Sequence, residues 1–238
     1  MDWKPRAEPA VLLARARLYG AIRGHFQARG VLEVETPILS VGATVDPNID
    51  SFATRAPPGV ERWLQTSPEF AMKRLLAAGS GPVYQIARVF RREEAGRYHN
   101  PEFSMLEWYR PGWDHLRLMD EVEELLRAAG MGGGPRWERL TYREAFLRHA
   151  GLDPFDAGLQ ALRQACAARM SLSAELAAST DRDLYLDLLM SDLVGPQLGL
   201  GQPAFLYDFP ASQAALARVR TGEPPVAERF ELFWRGIE

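Results

Sequence analysis

The segment 83–109 carries the densest set of side chains that could take part in chemistry. Two β-like runs, 83–91 and 103–109, flank a charged loop and predict an antiparallel hairpin with a long tip. Because side chains alternate along a strand, one face of the second run carries Phe103, Met105, Glu107 and Tyr109. A carboxylate beside aromatic rings is costly to bury without a partner, so Glu107 favours a pocket for a cationic amine.

Arg91 lies on the facing run of this hairpin, and its guanidinium could bind a phosphate through two hydrogen bonds. An arginine suited to phosphate and a glutamate suited to an amine together suggest a site for ATP and an amino compound. The alternative for the charged run 91–94 is a solvated hairpin tip, and the residue pattern by itself leaves both interpretations open.

Several familiar catalytic motifs are missing from the sequence. The four histidines and the single cysteine, Cys166, are too far apart for zinc ligands, and Cys166 is predicted to be a small core residue. No phosphate-binding G-x-x-x-x-G-K-[ST] loop, dinucleotide fingerprint or G-x-S-x-G elbow is present. The sequence therefore does not indicate a P-loop, Rossmann, zinc or serine-hydrolase enzyme.

Composition sets broader limits. The chain has 238 residues, of which 47% are hydrophobic and 25% charged, as in ordinary globular proteins. We expect no membrane span and no secretory signal, and the single cysteine favours a reducing cytoplasm. The formal net charge of −3 argues against bulk binding to nucleic acid.

The elements that must position the hairpin mix helices and strands. The pattern predicts a helix over 9–29, a strand over 31–36, an irregular loop over 42–60, a strand over 61–66, a helix from the N-cap Ser67 to about 78, a helix over 114–129, a capping box at 141–144, and strands over 204–209 and 226–237. Residues from about 140 to 200 are predicted to form a helical insertion. We predict an α+β fold with an antiparallel sheet flanked by helices.

The hairpin closely resembles motif 2 of class II aminoacyl-tRNA synthetases in its lysine-specific form. Residues 23–37 resemble motif 1, whose helix and strand build the dimer interface of that family. Residues 64–76 resemble its amino-acid-binding segment, and residues 229–238 resemble the strand that leads into its last active-site element. The resemblance covers nearly the whole chain, so it implies a class II catalytic domain over 1–238 and a homodimer formed through motif 1.

Within this family the pattern is similar to the short bacterial paralogues of lysyl-tRNA synthetase, which attach (R)-β-lysine to elongation factor P. Because the motif 1 helix begins near residue 9, no anticodon-binding domain is expected. The resemblance implies an ATP-dependent ligase that activates lysine or (R)-β-lysine and transfers it to a lysine of elongation factor P. Two alternatives remain open: a lysine-activating enzyme acting on tRNA, which the net charge disfavours, and a catalytically dead paralogue with a binding role.

The resemblance also implies the site residues, one by one. The amino acid would be bound by Ser67, Pro68, Glu69, Glu107 and Tyr109. Glu69 would contact the amine nearer the reacting carboxyl, and Glu107 the distal ammonium. ATP would be bound by Arg91, Arg92, Glu93, His99, Asn100, Phe103 and Glu238. Here Arg91 would contact the α-phosphate, Phe103 would stack on adenine and Glu238 would hold Mg²⁺. By residue pattern alone, Glu69 is equally an acid in the first turn of a helix, and His99 is a structural histidine.

The family pattern continues beyond Glu238 into motif 3, whose arginine binds the γ-phosphate of ATP. This motif is absent from the 238 residues, either because the sequence is truncated or because the protein is degenerate. The expectation is therefore weak ATP binding and little adenylation by these residues alone, and vigorous ATP–pyrophosphate exchange would contradict it.

Overall fold

The computed structural model describes residues 3–5, 7–46, 49–56, 59–92, 95–97, 99–132 and 134–238. The chain divides into two compact units, Met1–Trp113 and Asp114–Glu238. Helices lie beside largely antiparallel sheets, so the predicted α+β class is confirmed. The description of 1–238 as one catalytic domain with a helical insertion stays a prediction. Within the described ranges, no helix has both the length and the apolar character that crossing a membrane requires.

The first unit contains two small sheets and two helices among its described residues. Its elements are α1 (Pro9–Gln27), β1 (Leu32–Glu33), β2 (Leu39–Ser40), β3 (Ala53–Ala56), β4 (Val60–Leu64), α2 (Glu69–Ala77), β5 (Val83–Phe90) and β6 (Glu102–Tyr109). One sheet has the order β1-β5-β6, with β1 parallel to β5, and the other has the antiparallel order β2-β4-β3.

The hairpin predicted from the sequence is confirmed as β5 and β6. The strands pair from Val83 opposite Tyr109 to Phe90 opposite Glu102. The end of α1 covers one face, where the Phe26 ring stacks on Tyr84 with centroids 4.4 Å apart. Because neighbouring positions on a strand point to opposite faces, the register pair after Tyr84, Gln85 opposite Glu107, lies on the other face.

Two expectations in this unit were wrong in detail. The interval 42–60, predicted to be irregular, contains β3 and the start of β4. Its Gly- and Pro-rich composition is typical of a loop, but β3 and β4 pair antiparallel on either side of a turn that includes Gly59, whose φ is +92°. Ser67 is not the N-cap of α2, since the helix begins at Glu69 and Pro68 occupies the cap position. The Ser67 hydroxyl instead accepts a hydrogen bond from the Glu69 N–H at 3.0 Å in a short turn.

The second unit contains a four-stranded sheet and several helices. Its elements are α3 (His115–Ala128), β7 (Glu138–Thr141), α4 (Tyr142–His149), α5 (Leu159–Ala167), α6 (Ala174–Ala178), α7 (Arg182–Leu189), a π-helical turn (Met190–Val194), β8 (Ala204–Pro210), β9 (Val219–Arg220) and β10 (Val226–Phe233). The sheet order is β7-β8-β10-β9, parallel between β7 and β8 and antiparallel elsewhere. Cys166 is buried in the core of this unit, as predicted.

Sequence signals in this unit predicted the helix starts better than the strands. The capping box is confirmed, since Thr141 Oγ1 accepts from the Glu144 N–H and the Glu144 carboxylate accepts from the Thr141 N–H. Strand β7 was missed because its four residues run directly into that cap. The strand predicted to reach residue 237 ends at Phe233, because Arg235 and Gly236 have φ values of +56° and +75° and turn the chain.

The end of β10 is held by a close backbone approach to Gly199. The N–H of Arg235 donates to the Gly199 carbonyl at 2.8 Å, and the N–H of Gly236 donates to the Leu198 carbonyl at 2.9 Å. At Gly199 φ is +69°, and a Cβ there would lie 2.3 Å from the Phe233 carbonyl oxygen. Only glycine fits this position without moving the backbone that leads to Glu238.

We therefore expect Gly199→Ala to lower the free energy of unfolding by about 2 kcal/mol or more, through backbone strain and overpacking. Gly201→Ala is the matched control, because a Cβ at Gly201 meets nothing within 4 Å. Denaturant titration of both variants measures the difference. Equal stability of the two variants would contradict the close approach.

Candidate active site

The carboxylate of Glu107 lies at the centre of a network of hydroxyl groups in the first unit. Ser67 Oγ donates to Glu107 Oε2 at 2.6 Å, and the Tyr109 hydroxyl donates to Glu107 Oε1 at 2.5 Å. Each carboxylate oxygen thus has one donor, and the carboxylate is held in a single orientation. Glu107 and Tyr109 share a face of β6, as the alternation of side chains predicted.

The Tyr109 hydroxyl stays protonated in this network. Burial raises its pKa well above the ordinary value for tyrosine, and the hydrogen bond to Glu107 and the charges of Glu107 and Glu69 raise it further. Because ionisation would place a second negative charge beside the carboxylate, Tyr109 acts as a neutral donor.

Ser67, Pro68 and Glu69 lie together at the beginning of α2. The Glu69 carboxylate forms an ion pair with Lys73 Nζ one turn later on the same helix. The bend at Ser67 brings this end of the helix to the face of the sheet that carries Glu107. The structure therefore brings the five residues implied for the amino acid into one neighbourhood, and their roles stay predictions.

A cavity of about 430 Å³ lies beside Ser67 in the first unit. Its walls come from four parts of the chain: the stretch from residue 35 to 44, Ser51 before β3, the end of β4 with Ser67, and one side of α2. The lining residues from these segments include Thr36, Leu39, Gln65, Thr66, Ser67 and Phe70. Hydroxyl and amide groups thus stand among apolar side chains, which is typical of a small-molecule site.

Arg91 and Phe103 are in contact near the end of the hairpin. The guanidinium carbon of Arg91 lies 5.2 Å from the centroid of the Phe103 ring, and Arg91 Nε donates to the Thr66 carbonyl at 3.4 Å. The stacking and the carbonyl contact restrict the direction in which the guanidinium points. These two residues, predicted to bind ATP, are therefore brought together.

The other residues implied for ATP in this unit lie at the tip of the hairpin. Arg92 is exposed, and its N–H donates to the Asp50 carbonyl at 3.0 Å. His99 and Asn100 are also exposed, and the His99 carbonyl accepts from the Gly96 N–H at 3.1 Å. Glu93 lies outside the described residues.

Glu238 belongs to the second unit, where sequence reasoning overlooked a second carboxylate. Glu231 is mostly buried on β10, forms an ion pair with Arg229, and has its pKa raised by burial and by the negative charge of Glu238. Arg229 is itself stacked on Phe209, with 4.5 Å from guanidinium carbon to ring centroid. The signal used for Glu107, a carboxylate two residues from an aromatic residue on a strand, is also present at Glu231 with Phe233.

Glu238 is the residue for which the resemblance implied a magnesium ion, and this role stays a prediction. Among the described residues no cluster of three or more histidine, cysteine or acidic side chains could hold a metal. Mg²⁺ in ATP-dependent enzymes is usually bound by one or two carboxylates together with substrate phosphates. At Glu231 the negative charge of Glu238 raises the pKa of the carboxyl group, and Arg229 offsets part of this effect.

The family follows from a comparison with known protein families. The model for class II tRNA synthetases of the aspartate, lysine and asparagine group matches residues 1–238. The chain belongs to this class II synthetase family. Membership of this family makes the chain an ATP-dependent ligase by family, and the fold class predicted from the hairpin motif is confirmed.

The named relatives of this chain all carry the name of one ligase. A protein of Yersinia enterocolitica named elongation factor P–(R)-β-lysine ligase is 51% identical over 242 residues, covering 100% of this chain and 74% of the relative. Proteins of the same name from Yersinia pestis and Yersinia pseudotuberculosis are 50% identical with the same coverage. The resemblance to the short lysyl-tRNA synthetase paralogues is thereby confirmed.

The raised pKa of Tyr109 has a measurable consequence for stability. The tyrosine hydroxyl of the unfolded chain loses its proton near pH 10, whereas that of the folded chain keeps it. The contribution of Tyr109 to the free energy of unfolding is therefore present below about pH 10 and is lost as the pH rises further. We expect Tyr109→Phe to reduce the loss of unfolding free energy between about pH 9 and pH 11, measured by urea denaturation. Tyr19→Phe controls for loss of a hydroxyl, and an unchanged slope in Tyr109→Phe would contradict the assignment.

Proposed function

We propose that this chain activates lysine or (R)-β-lysine with ATP and transfers it to a lysine side chain of elongation factor P. The observation that carries the proposal is the Glu107 carboxylate, held by one hydroxyl donor on each oxygen on the face of a sheet. Such a carboxylate is suited to one further donor, and a substrate ammonium supplies it. The proposal that elongation factor P is the acceptor is supported by the names of the relatives.

In this proposal the amino acid lies between Glu107 and the start of α2. Glu107 binds the distal ammonium, with Ser67 and the neutral Tyr109 keeping its oxygens in place. Glu69 binds the amine nearer the carboxyl, and its ion pair with the ammonium group of Lys73 supports this role. Pro68 occupies the cap position at which α2 begins, next to Ser67 and Glu69.

The reaction needs no covalent intermediate with this enzyme. A carboxylate oxygen of the amino acid attacks the α-phosphorus of ATP, and the bond to pyrophosphate breaks. The acceptor amine then attacks the acyl carbon, AMP leaves, and the amine gives up a proton. Arg91 offsets charge on the α-phosphate and Phe103 stacks on adenine, while Arg92, Glu93, His99 and Asn100 bind the rest of the nucleotide. Catalysis is by positioning and electrostatics.

In this proposal Glu238 and Glu231 would hold Mg²⁺, and the ion would neutralise phosphate charge. The support is that the negative charge of Glu238 acts on Glu231 and raises its pKa.

The remaining partners follow from the family. We propose a homodimer formed through motif 1, consistent with Val11, Leu12, Leu13 and Leu18 of α1 being 41–58% exposed. The net charge of −3 favours a protein acceptor over tRNA. A translation factor as acceptor also implies a cytoplasmic enzyme.

A transfer assay tests the proposed function directly. The complete gene product is incubated with ATP and labelled α-lysine or (R)-β-lysine, in the presence of elongation factor P or of tRNA. We expect label in elongation factor P and none in tRNA. Label in tRNA alone would replace the proposal by the synthetase alternative, and binding of elongation factor P without any transfer would support the dead paralogue.

The role of Glu107 is tested by removing its charge. We expect Glu107→Gln to weaken lysine binding by about tenfold or more, because a charge-assisted hydrogen bond is lost, with little change for norleucine, which has no distal ammonium. Glu102→Gln on the same strand is the matched control, since Glu102 is exposed and pairs with Arg88. Calorimetry measures the affinities, and an equal loss for both ligands would exclude the role.

A further inference from the structure

Two hydroxyl groups that line the cavity donate to a single pair of residues on the sheet. Ser67 Oγ donates to Glu107, and Thr36 Oγ1 donates to Gln85 Oε1 at 3.0 Å. Gln85 and Glu107 lie directly opposite each other on β5 and β6. The cavity wall at Ser67 is thus bonded to Glu107, and the cavity wall at Thr36 is bonded to the neighbouring Gln85 on the same sheet.

The contact between Thr36 and Gln85 stands where the chain passes from one sheet to the other. The Val34 N–H donates to the Tyr84 carbonyl at 2.9 Å, which holds this part of the chain on β5. Pro37 has no N–H to continue that ladder, and Leu39 already belongs to β2, which pairs with β4. The Thr36 side chain therefore links the two sheets at the crossing.

This link is buried. Thr36 is 7% exposed and Gln85 is 4% exposed. A buried hydrogen bond of this kind cannot be replaced by one to bulk water when a partner is removed, so its loss leaves an unsatisfied group and lets the crossing segment shift. The cavity wall 35–44 begins at this crossing.

The choice of glutamine at position 85 also fits its place opposite Glu107. A second carboxylate there would stand directly across from the first, and like charges in that relation repel. A neutral amide accepts the Thr36 hydroxyl without changing the single negative charge that Glu107 presents to an ammonium group.

We propose that Thr36 and Gln85 are a positioning pair that fixes the distance between the cavity wall 35–44 and the strand bearing Glu107. They thereby set the length of the diamino acid that fits between Glu107 and the start of α2, because Ser67 at that start lines the same cavity and contacts Glu107. This inference rests on the proposed function, because it takes Glu107 as the binding group for the distal ammonium.

The test compares lysine with ornithine, which is one methylene shorter, by calorimetry on the whole protein. A well-fitted pocket distinguishes one methylene by at least about tenfold. We expect the unchanged protein to prefer lysine by such a factor. Thr36→Val, which keeps the shape of the side chain but loses the hydroxyl, is expected to reduce that preference about fivefold or more.

Thr36→Ser retains the donor and is expected to restore the preference, and Thr54→Val on β3 controls for the same substitution elsewhere. Gln85→Met breaks the contact from the other side and should match Thr36→Val. Thermal unfolding of each variant establishes that it is folded under the conditions of the binding measurement.

The outcomes separate this inference from the proposed function. If the unchanged protein binds no diamino acid, the proposed function fails and the inference fails with it. If it prefers lysine and both Thr36→Val and Gln85→Met keep the same ratio of affinities, the pair has only a structural role and the inference alone is overturned. A ratio that falls in both variants and returns in Thr36→Ser supports it.

Discussion

A carboxylate on a partly covered sheet face is costly without hydrogen-bond donors or a cation, and Glu107 meets this requirement through two hydroxyl groups of the first unit. One donor comes from its own strand, because Tyr109 is two residues away on the same face. The other comes from the bend before α2, which must lie close enough for the Ser67 hydroxyl to reach the carboxylate. The hairpin register and the start of α2 together place these two donors at the carboxylate.

The second unit satisfies the same constraint in another way. Glu231 is mostly buried on β10, and it is Arg229, held on the Phe209 ring, that offsets its charge. Burial and the negative charge of Glu238 raise the pKa of Glu231, and Arg229 offsets part of this effect. The ligands proposed for the two units are a single ammonium group at Glu107 and a divalent ion at Glu231 and Glu238.

Local sequence signals predicted the elements whose formation depends on neighbouring residues. The β5–β6 hairpin was predicted from alternation on both sides of a charged loop, and the start of α4 was predicted from the reciprocal hydrogen bonds of a capping box. Strands β3 and β7 were missed, because four residues of alternation are too few to distinguish from a loop or a helix start. The cap of α2 was misplaced because the Ser67 hydroxyl also donates to Glu107, forty residues away, which no local pattern contains.

The sequence by itself determined the chemistry available to this protein: a glutamate among aromatic residues, a phosphate-binding arginine, and the motifs that identify a class II synthetase. Tertiary structure decided how that chemistry is held. The orientation of Glu107 depends on Ser67, the direction of Arg91 on Phe103 and the Thr66 carbonyl, and the cavity wall on Thr36 and Gln85. Several of these contacts join residues far apart in the chain, and hydrogen bonds and ring contacts act over a few ångströms, so only the folded chain brings the partners within reach.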